Sequence, residues 1–348
     1  MDDHGGKLIE MRNASVRFEM DRGSSRVMDD VSMDIYRDEI LGVVGESGSG
    51  KSMFASALLN AIVDPGVLSG EVIYHPPDGE PFDVCKLDDD ELKRFRWEEI
   101  ALVFQGAMDS FNPTMSIGGH FEETLRAHDY NVAEGMAYGR ELLAQLYLDP
   151  DRVMRSYPHE LSGGMQQRAL IALSLLLKPN VLVMDEPTAA LDLLMQRSIT
   201  SLLAKLHEEY GITMVFITHD LPLVADLADR LAVMYAFEFV EVGPCYDILK
   251  NAAHPYTRAL LKAVPNLSSS IEEMSPIEGD SPDPVNVPEG CSYRLRCPLA
   301  DERCATADPP FHAVTDRHEA ACYHWKTARE EIAYTLSDQE QEVLFDEP

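Results

Sequence analysis

The stretch GESGSGKS, residues 45–52, decides the fold of this 348-residue chain. It matches the pattern G-x-x-x-x-G-K-[ST] at every position. The preceding EILGVV is apolar and β-branched, which predicts a buried strand, and the following MFASALLNAIV predicts a helix. A glycine-rich loop between a strand and a helix is the structural context of a phosphate-binding loop.

The residue types of this loop suit the binding of a nucleotide. Gly45, Gly48 and Gly50 allow a tight turn that brings backbone N–H groups to phosphate oxygens, and the helix N-terminus adds a partial positive charge. Lys51 is expected to reach the β- and γ-phosphates, and Ser52 to ligate Mg²⁺. We predict that the whole loop binds the nucleotide: Gly45, Glu46, Ser47, Gly48, Ser49, Gly50, Lys51 and Ser52.

Length and composition predict about two domains with well-formed cores, since 45% of the residues are hydrophobic. No run of 18 or more apolar residues occurs, so no membrane-spanning helix is expected. The N-terminal MDDHGGKLIE has neither the basic nor the apolar region of a secretory signal. We therefore expect an intracellular protein that reaches a membrane only through a partner.

The charge is strongly acidic, with 60 acidic and 29 basic residues and a net charge of −31. An acidic surface repels phosphate, which argues against nucleic acid as the main partner. Two explanations compete: an acidic binding patch, or a dispersed acidic surface adapted to high salt. Because the acidic residues are spread along the chain, we favour a halophilic source.

Strands and helices alternate along the chain, which predicts an α/β fold with a mainly parallel sheet. A charged helix is expected over 88–99, a helical region over 116–177 and a further helix over 198–211; LPLVADLADR predicts a short helix. Strands are expected over 8–45, 100–105, 181–187 and 213–220, with a hairpin over 71–85 and a strand pair in LAVMYAFEFVEVG. The composition changes near Pro265, so we predict a domain over 1–264 and an extension over 265–348, with a linker, a cysteine module and an acidic tail that forms a short helix.

The strand VLVMDEP ends in two carboxylates. Asp185 at the strand end suits a contact with Mg²⁺, and Glu186 is placed to polarise an attacking water. Strands often end in aspartate, but the phosphate-binding loop upstream favours the catalytic interpretation.

Between these motifs, LSGGMQQ at 161–167 resembles the signature sequence of ABC ATPases. The resemblance implies a P-loop NTPase of ABC type, with a mainly parallel core sheet, an antiparallel β subdomain and a helical subdomain at about 106–177. It also implies a role for five further residues: Gln105 in the Q-loop and at Mg²⁺, Asp192 in the D-loop, Glu186 as the catalytic carboxylate, His219 as the γ-phosphate sensor and Phe18 as the residue stacked on adenine. Phe18 also fits an ordinary core position.

Ser162, Gly163 and Gly164 begin a helix, so their hydroxyl and N–H groups form an outward-facing anion site. A plain helix cap explains Ser162 but not the two glycines followed by Met-Gln-Gln. The family resemblance implies that these groups close on the γ-phosphate of a nucleotide held by a second subunit, in a head-to-tail dimer.

The flanks FQGAMDSFNP and HPYTRALLKAVP, together with the tail, resemble the ATP-binding subunits of oligopeptide/dipeptide ABC importers over about residues 8–325. This implies an ATPase at the cytoplasmic face of the membrane, with Mg²⁺ as cofactor. The implied partners are a related second ATPase subunit, two transmembrane permeases and an extracellular solute-binding protein.

Importers of nickel or sugars share the subfamily. A soluble ABC ATPase of DNA repair or translation is the rival, but it usually carries coiled coils or two ATPase units. The chain departs from the usual FQDPMTSLNP and MYAG at Gly106, Ala107, Asp109, Phe111 and Phe237.

Four of the six cysteines form the pattern C-x5-C-x6-C-x17-C: Cys291, Cys297, Cys304 and Cys322. No element predicted here could build a core alone, and disulfides are disfavoured in a reducing cytosol, so either a metal site or free thiols fit the spacing. The resemblance to the C-terminal extension of peptide importers implies a [4Fe-4S] cluster, with zinc as the alternative. His318 and His324 flank the last cysteine and fit either ligands or, more simply, surface residues.

Overall fold

The structure is a computed structural model that describes residues 5–104, 106, 110–189, 191–263 and 277–332. The described residues form two compact units. The first comprises the segments up to Ile9, Ile35–Ile40 and Ile73–Ile217, and the second comprises Glu10–Asp34, Leu41–Val72 and the residues from Thr218 onward.

A parallel sheet lies at the centre of the first unit. Strand β7 (Val181–Asp185) pairs with β6 (Ile100–Val103) on one side and with β8 (Thr213–Thr218) on the other. All residues of β7 and β8 are buried, which explains their continuous apolar runs. The strands predicted for these three stretches are confirmed.

Helices account for most of the remaining first unit, and side-chain caps mark several of their starts. Ser116, Asn131 and Asp149 accept hydrogen bonds from the backbone N–H groups of the second or third residue of the helices that follow them. The helices are α2 (Asp89–Arg94), α3 (Ile117–Ala127), α4 (Val132–Gln145), α5 (Pro150–Arg155), α6 (Gly163–Ser174) and α7 (Leu193–Tyr210). The predicted helical region at 116–177 is confirmed.

Two helix boundaries differ from those predicted. The charged helix expected over 88–99 ends as a regular α-helix at Arg94, because Trp97 adopts a positive φ of 81° and kinks the chain. The helix expected from 198 begins at Leu193, where the Asp192 carboxylate accepts a hydrogen bond from the N–H of Met195 at 2.9 Å.

The predicted hairpin is present. Strand β4 (Gly66–Tyr74) pairs with β5 (Phe82–Asp83) in antiparallel fashion, with Ile73 opposite Asp83. The long strand β1 (Gly5–Met20) lies between β4 and β2 (Gly23–Arg37), as expected for a β-rich N-terminal region.

The second unit also contains a sheet, and its parallel part positions the glycine-rich loop. Strand β3 (Ile40–Val44) pairs in parallel with β9 (Arg230–Tyr235), and β9 pairs in antiparallel with β10 (Glu238–Pro244). The edge of this sheet comes from the cysteine-containing segment, since β12 (His318–Ala321) pairs with β10 and β11 (Phe311–Thr315) pairs with β12.

Six helices complete the described part of the second unit: α1 (Lys51–Leu58), α8 (Leu221–Ala225), α9 (Cys245–Asn251), α10 (Pro255–Lys262), α11 (Glu302–Thr306) and α12 (Trp325–Glu331). The sequence did not predict α9, α10, β11 or β12. Helix α12 directly follows the cysteine segment, while the acidic tail from 333 onward, for which a short helix is predicted, lies outside the described residues. Within the described ranges, no helix combines the length and apolar character needed to cross a membrane.

Candidate functional site

The glycine-rich loop has the predicted strand–loop–helix geometry. Strand β3 ends at Val44, and α1 begins at Lys51 after Gly50, which has a φ of 108°. A Cβ atom at Gly45 would lie 2.1 Å from the carbonyl oxygen of Met234, so the backbones of the loop and β9 approach too closely for a side chain. Gly48, with a φ of 80°, also adopts a conformation that favours glycine.

Lys51 folds back over the loop that precedes it. Its ammonium group donates hydrogen bonds to the carbonyl oxygens of Gly45 at 2.8 Å and Glu46 at 2.9 Å. Ser49 is buried, whereas Ser47, Gly48 and Ser52 are exposed. The loop thus presents one face to solvent, where phosphate oxygens have access to its N–H groups.

Two tyrosines and an arginine that the sequence did not single out also contact this region. The N–H of Glu46 donates to the hydroxyl of Tyr256 at 2.9 Å, and the Glu46 carboxylate pairs with Arg296. Tyr235 contacts Arg296 through its hydroxyl at 3.3 Å. Arg296 lies 250 residues from Glu46, so no local pattern could identify the pair.

Phe18 is half-buried, and its ring lies beside Gly66 and Ile62, because a Cβ atom at Gly66 would come within 2.7 Å of both side chains. This position leaves part of the ring accessible to a ligand. The same contacts with Gly66 and Ile62 also fit a packing role for Phe18.

The carboxylates of the first unit lie where β7 ends. Asp185 is its last residue and is buried. Glu186 follows with a φ of 47° and donates its N–H to the carbonyl oxygen of Ile217 at 2.9 Å. Non-glycine residues rarely adopt this conformation, and such backbone strain occurs preferentially at functional sites. The bond to Ile217 fixes the backbone of Glu186 at the carboxyl end of the sheet.

The signature residues begin α6 as predicted. Ser162 precedes the first helical residue and is exposed, and its side chain makes no capping hydrogen bond. This finding disfavours the plain-cap interpretation of Ser162. Gly164 is buried against Met195, whose Cε atom would lie 2.6 Å from a Cβ atom at this position.

The remaining predicted nucleotide-site residues lie in both units or outside the described ranges. His219 is exposed directly after β8, in the second unit together with Phe18 and the glycine-rich loop. Asp185, Glu186, Asp192 and the signature residues Ser162, Gly163 and Gly164 belong to the first unit. Gln105, Ala107 and Asp109 lie outside the described residues.

The cysteine pattern forms a single cavity in the second unit. Cys291, Cys297, Cys304 and Cys322 all line it, together with His254 and His324, and its volume is about 10 Å³. None of the four is in a disulfide. The backbone joins the first and third cysteines directly, since the N–H of Cys291 donates to the carbonyl oxygen of Cys304 at 2.8 Å. Four cysteines spread over residues 291–322 therefore line one cavity.

Four thiols along one cavity are chemically demanding, since Cys304 and Cys322 are buried and Cys291 and Cys297 are half-buried. Burial, with a smaller contribution from the neighbouring thiols, raises the pKa of Cys291 to about 11 and that of Cys322 to about 12. Thiolates would need a cationic partner here, which is what a bound metal provides. Four thiols along one cavity are a donor set of the kind that binds zinc or iron–sulfur clusters. Among the described residues, the set of three ligand atoms that lie within 4.8 Å of one another comes from Asp301, Cys304 and His324, so the cysteine sulfur atoms are more widely spaced than that.

The two histidines near Cys322 differ in their environments. His318 is fully buried, and its Nε2 atom lies 2.7 Å from Glu241, whose carboxylate also accepts the N–H groups of Ala253 and His254. The interpretation of His318 as a surface residue is therefore wrong: it belongs to a buried polar network between β10, β12 and the start of α10. His324 lines the cysteine cavity.

Comparisons with known proteins agree with this arrangement. Residues 28–189 match the family model described as ABC transporter, and residues 240–304 match the model described as Oligopeptide/dipeptide transporter, C-terminal region. The "Dipeptide transport ATP-binding protein DppD" of Caldanaerobacter subterraneus is 38% identical over 92% of this chain and 98% of that protein. The "Oligopeptide transport ATP-binding protein OppD" of Escherichia coli is 37% identical over 91% of this chain and 93% of that protein.

The fold has a solved counterpart. The dimeric, post-hydrolysis structure of the ATP-binding cassette MJ0796 bound to ADP and Pi superposes with a TM-score of 0.59 at 28% identity, covering 68% of this chain and 99% of that one. The coarse prediction of a P-loop fold of ABC ATPase type is confirmed by this match and by the family model.

Proposed function

Since the chain belongs to the ATP-binding proteins of oligopeptide and dipeptide ABC transporters, we infer that it is the ATP-hydrolysing motor subunit of a peptide importer. The observation that carries this function is the combination of the loop at 45–52 with the importer-type segment at 240–304 in one chain. ATP is its substrate, and Mg²⁺ is the ion such ATPases require.

Each predicted residue has a separate role in ATP binding or hydrolysis. We assign the eight loop residues to the triphosphate, with Lys51 as the cation at the β- and γ-phosphates and Ser52 as a ligand of Mg²⁺. Asp185 and Gln105 are further candidates for Mg²⁺, and Phe18 is the candidate for adenine stacking. Glu186 orients and polarises the attacking water, and His219 contacts the γ-phosphate. Ser162, Gly163, Gly164 and Asp192 act on the nucleotide of a second subunit.

The substitution Glu186→Gln tests the assignment. It removes the carboxylate but preserves the side-chain volume and the backbone that donates to Ile217. We expect ATP binding to be retained and phosphate release to fall by at least about a hundredfold, the scale of a lost general base. Equilibrium dialysis with labelled ATP and a phosphate-release assay measure the two quantities. Normal turnover in this variant would refute the role of Glu186.

We propose a peripheral location at the cytoplasmic face of the membrane, with two permeases, a related ATPase subunit and a solute-binding protein as partners. Peptides are the favoured cargo, and nickel or sugar importers are the alternatives. Affinity purification from detergent-solubilised membranes should recover integral membrane proteins. Recovery of ribosomes or DNA instead would favour the soluble ABC ATPases.

We also propose that the four-cysteine cavity holds a metal centre with a structural or regulatory role, a [4Fe-4S] cluster in first place and zinc in second. Support comes from the four thiols that line one cavity and from the match of residues 240–304 to the peptide-transporter model. Iron, zinc and acid-labile sulfide analysis of anaerobically purified protein distinguishes the two. About four irons and four sulfides per chain indicate the cluster, and one zinc per chain indicates the alternative.

We propose two further features of the chain. The domain boundary near residue 265 is proposed from the change in composition. Adaptation to high salt is proposed from the net charge of −31, because a surface of this kind repels itself less when salt screens it.

A further inference from the structure

A buried ion pair ties the glycine-rich loop to the cysteine segment. Arg296 donates from Nη1 to Glu46 Oε2 at 2.9 Å and from Nη2 to Glu46 Oε1 at 3.1 Å. The arginine side chain is only 6% exposed and the glutamate side chain 24%. Two parallel bonds between a guanidinium and a carboxylate are geometrically specific and stronger than a single contact.

Contacts other than the one with Glu46 also fix the position of the Arg296 side chain. Its guanidinium lies 5.7 Å from the ring of Tyr235 and 5.9 Å from that of Tyr293, both within the range of cation–π contacts. Its Nε donates to the carbonyl oxygen of Glu278 at 2.8 Å, and its backbone N–H donates to Tyr293 at 3.0 Å. The segment around Cys291 and Cys297 therefore fixes the position of this charge.

Glu46 is an ionised residue inside a loop that receives anions. Burial favours its neutral form, but the bonds from Arg296 and Ser281 and the charges of Arg296 and Lys51 outweigh burial, so its pKa lies below its ordinary value. Its carbonyl oxygen also accepts a hydrogen bond from Lys51. Without compensation, a carboxylate at this position would repel phosphate and compete for the lysine that phosphate requires.

We propose that Arg296 is a positioning residue for nucleotide binding. It neutralises the Glu46 carboxylate and holds it with two hydrogen bonds. The affinity of the loop for ATP therefore depends on the folded cysteine segment. The proposal rests on the ATP-binding function given above. It adds a residue from the C-terminal extension to a site otherwise built from the nucleotide-binding region.

The test is a set of variants of the full chain, with the dissociation constant for ATP measured by equilibrium dialysis. Arg296→Gln removes the charge that pairs with the carboxylate, and we expect binding about tenfold weaker, equivalent to about 1.4 kcal/mol. Glu46→Gln should tighten binding about twofold in the wild-type background, where Arg296 already neutralises the carboxylate. The same substitution should tighten binding about tenfold in the Arg296→Gln background.

The difference between these two backgrounds is the signature of the pair, because a general loss of structure would not be reversed by Glu46→Gln. Arg22→Gln is the matched control, since Arg22 and Asp283 form an exposed ion pair in the same unit; its affinity should equal that of the wild type. Equal effects of Glu46→Gln in both backgrounds would overturn the proposal. If Arg296→Gln does not fold, Arg296→Lys retains the charge without the two parallel bonds and should bind about threefold more weakly.

Cys297→Ser tests the dependence on the cysteine segment, with ATP affinity and metal content as separate readouts. We expect weaker ATP binding in the wild-type background and recovery when Glu46→Gln is added. Full affinity in Cys297→Ser would overturn the link to the segment. Absence of ATP binding by the wild-type chain would instead refute the proposed function, so the two failures are distinguishable.

Discussion

Gly45→Ala is the substitution for which the structure gives the clearest magnitude. Gly45 has a φ of 156°, and a Cβ atom there would lie 2.1 Å from the carbonyl oxygen of Met234 and 2.9 Å from Ser49 Oγ. Met234 belongs to β9, which is paired with β3 up to the residue that precedes Gly45. Relief of the clash therefore requires movement of either the loop or a buried strand.

Two contributions determine the cost. A positive φ costs an alanine about 1–2 kcal/mol relative to glycine. Inserting a methyl group into a packed region against backbone atoms adds about 1–3 kcal/mol. We expect Gly45→Ala to lower the free energy of unfolding by about 2–5 kcal/mol. Gly48→Ala is the matched control, because φ is 80° there and no atom lies within 4 Å of the added Cβ; it should cost only about 1–2 kcal/mol.

Urea unfolding followed by circular dichroism, without nucleotide and at fixed salt, measures both variants. Nucleotide is omitted because ligand binding stabilises the folded state by itself. Dialysis with ATP then shows whether the displaced loop still binds. Equal stability of Gly45→Ala and Gly48→Ala would refute the argument that the close approach to β9 determines the need for glycine at residue 45.

Two further predictions concern pH and the signature. Burial, assisted by Asp308 and Asp29, raises the pKa of Glu238 from 4.5 to about 8, so the folded chain keeps a proton that the unfolded chain releases, and stability falls as pH rises from about 4.5 to about 8. Glu238→Gln should therefore raise the free energy of unfolding by about 1–3 kcal/mol at pH 8.5, as measured by urea unfolding, with little difference from the wild type at pH 5. A similar gain in stability at both pH values would contradict this prediction. Ser162→Ala should change stability by less than about 0.5 kcal/mol, since no capping bond is lost, yet reduce ATP hydrolysis while the isolated chain still binds ATP. Loss of binding by the isolated chain would contradict the shared site.

Helices and strands that depend on residues close together in the chain could be predicted from the sequence. The strand, loop and helix around residue 45 follow from an apolar run, three glycines and a second apolar run. Strand β7 and its terminal carboxylates were predicted for the same reason, because a strand buried on both faces is continuously apolar. The start of α7 was misplaced because the Asp192 cap, already assigned to the D-loop, was not also interpreted as a helix start.

Elements whose cause lies elsewhere in the chain could not be predicted. Strand β11 alternates between exposed and half-buried residues and β12 has only four residues, so both depend on the partner strand β10. The burial of His318 depends on Glu241, 77 residues earlier. Within the candidate site, sequence patterns predicted contacts with the nucleotide but did not point to Tyr256 or Arg296, which contact Glu46 of the loop from more than 200 residues away.

The loop at 45–52 is thus supported mainly by the chain that follows residue 234. Phe237, with a φ of 78° where glycine is usual in the family it resembles, donates its N–H to the carbonyl oxygen of Ser49 at 2.8 Å, and Tyr256 and Arg296 hold Glu46. Linkage makes such support reciprocal. If Arg296 strengthens ATP binding tenfold, bound ATP must favour the docked position of Arg296 by the same factor. Measurements of nucleotide binding and of the docking of the cysteine segment then report on the same equilibrium. The C-terminal extension is in this way energetically coupled to the ATPase site.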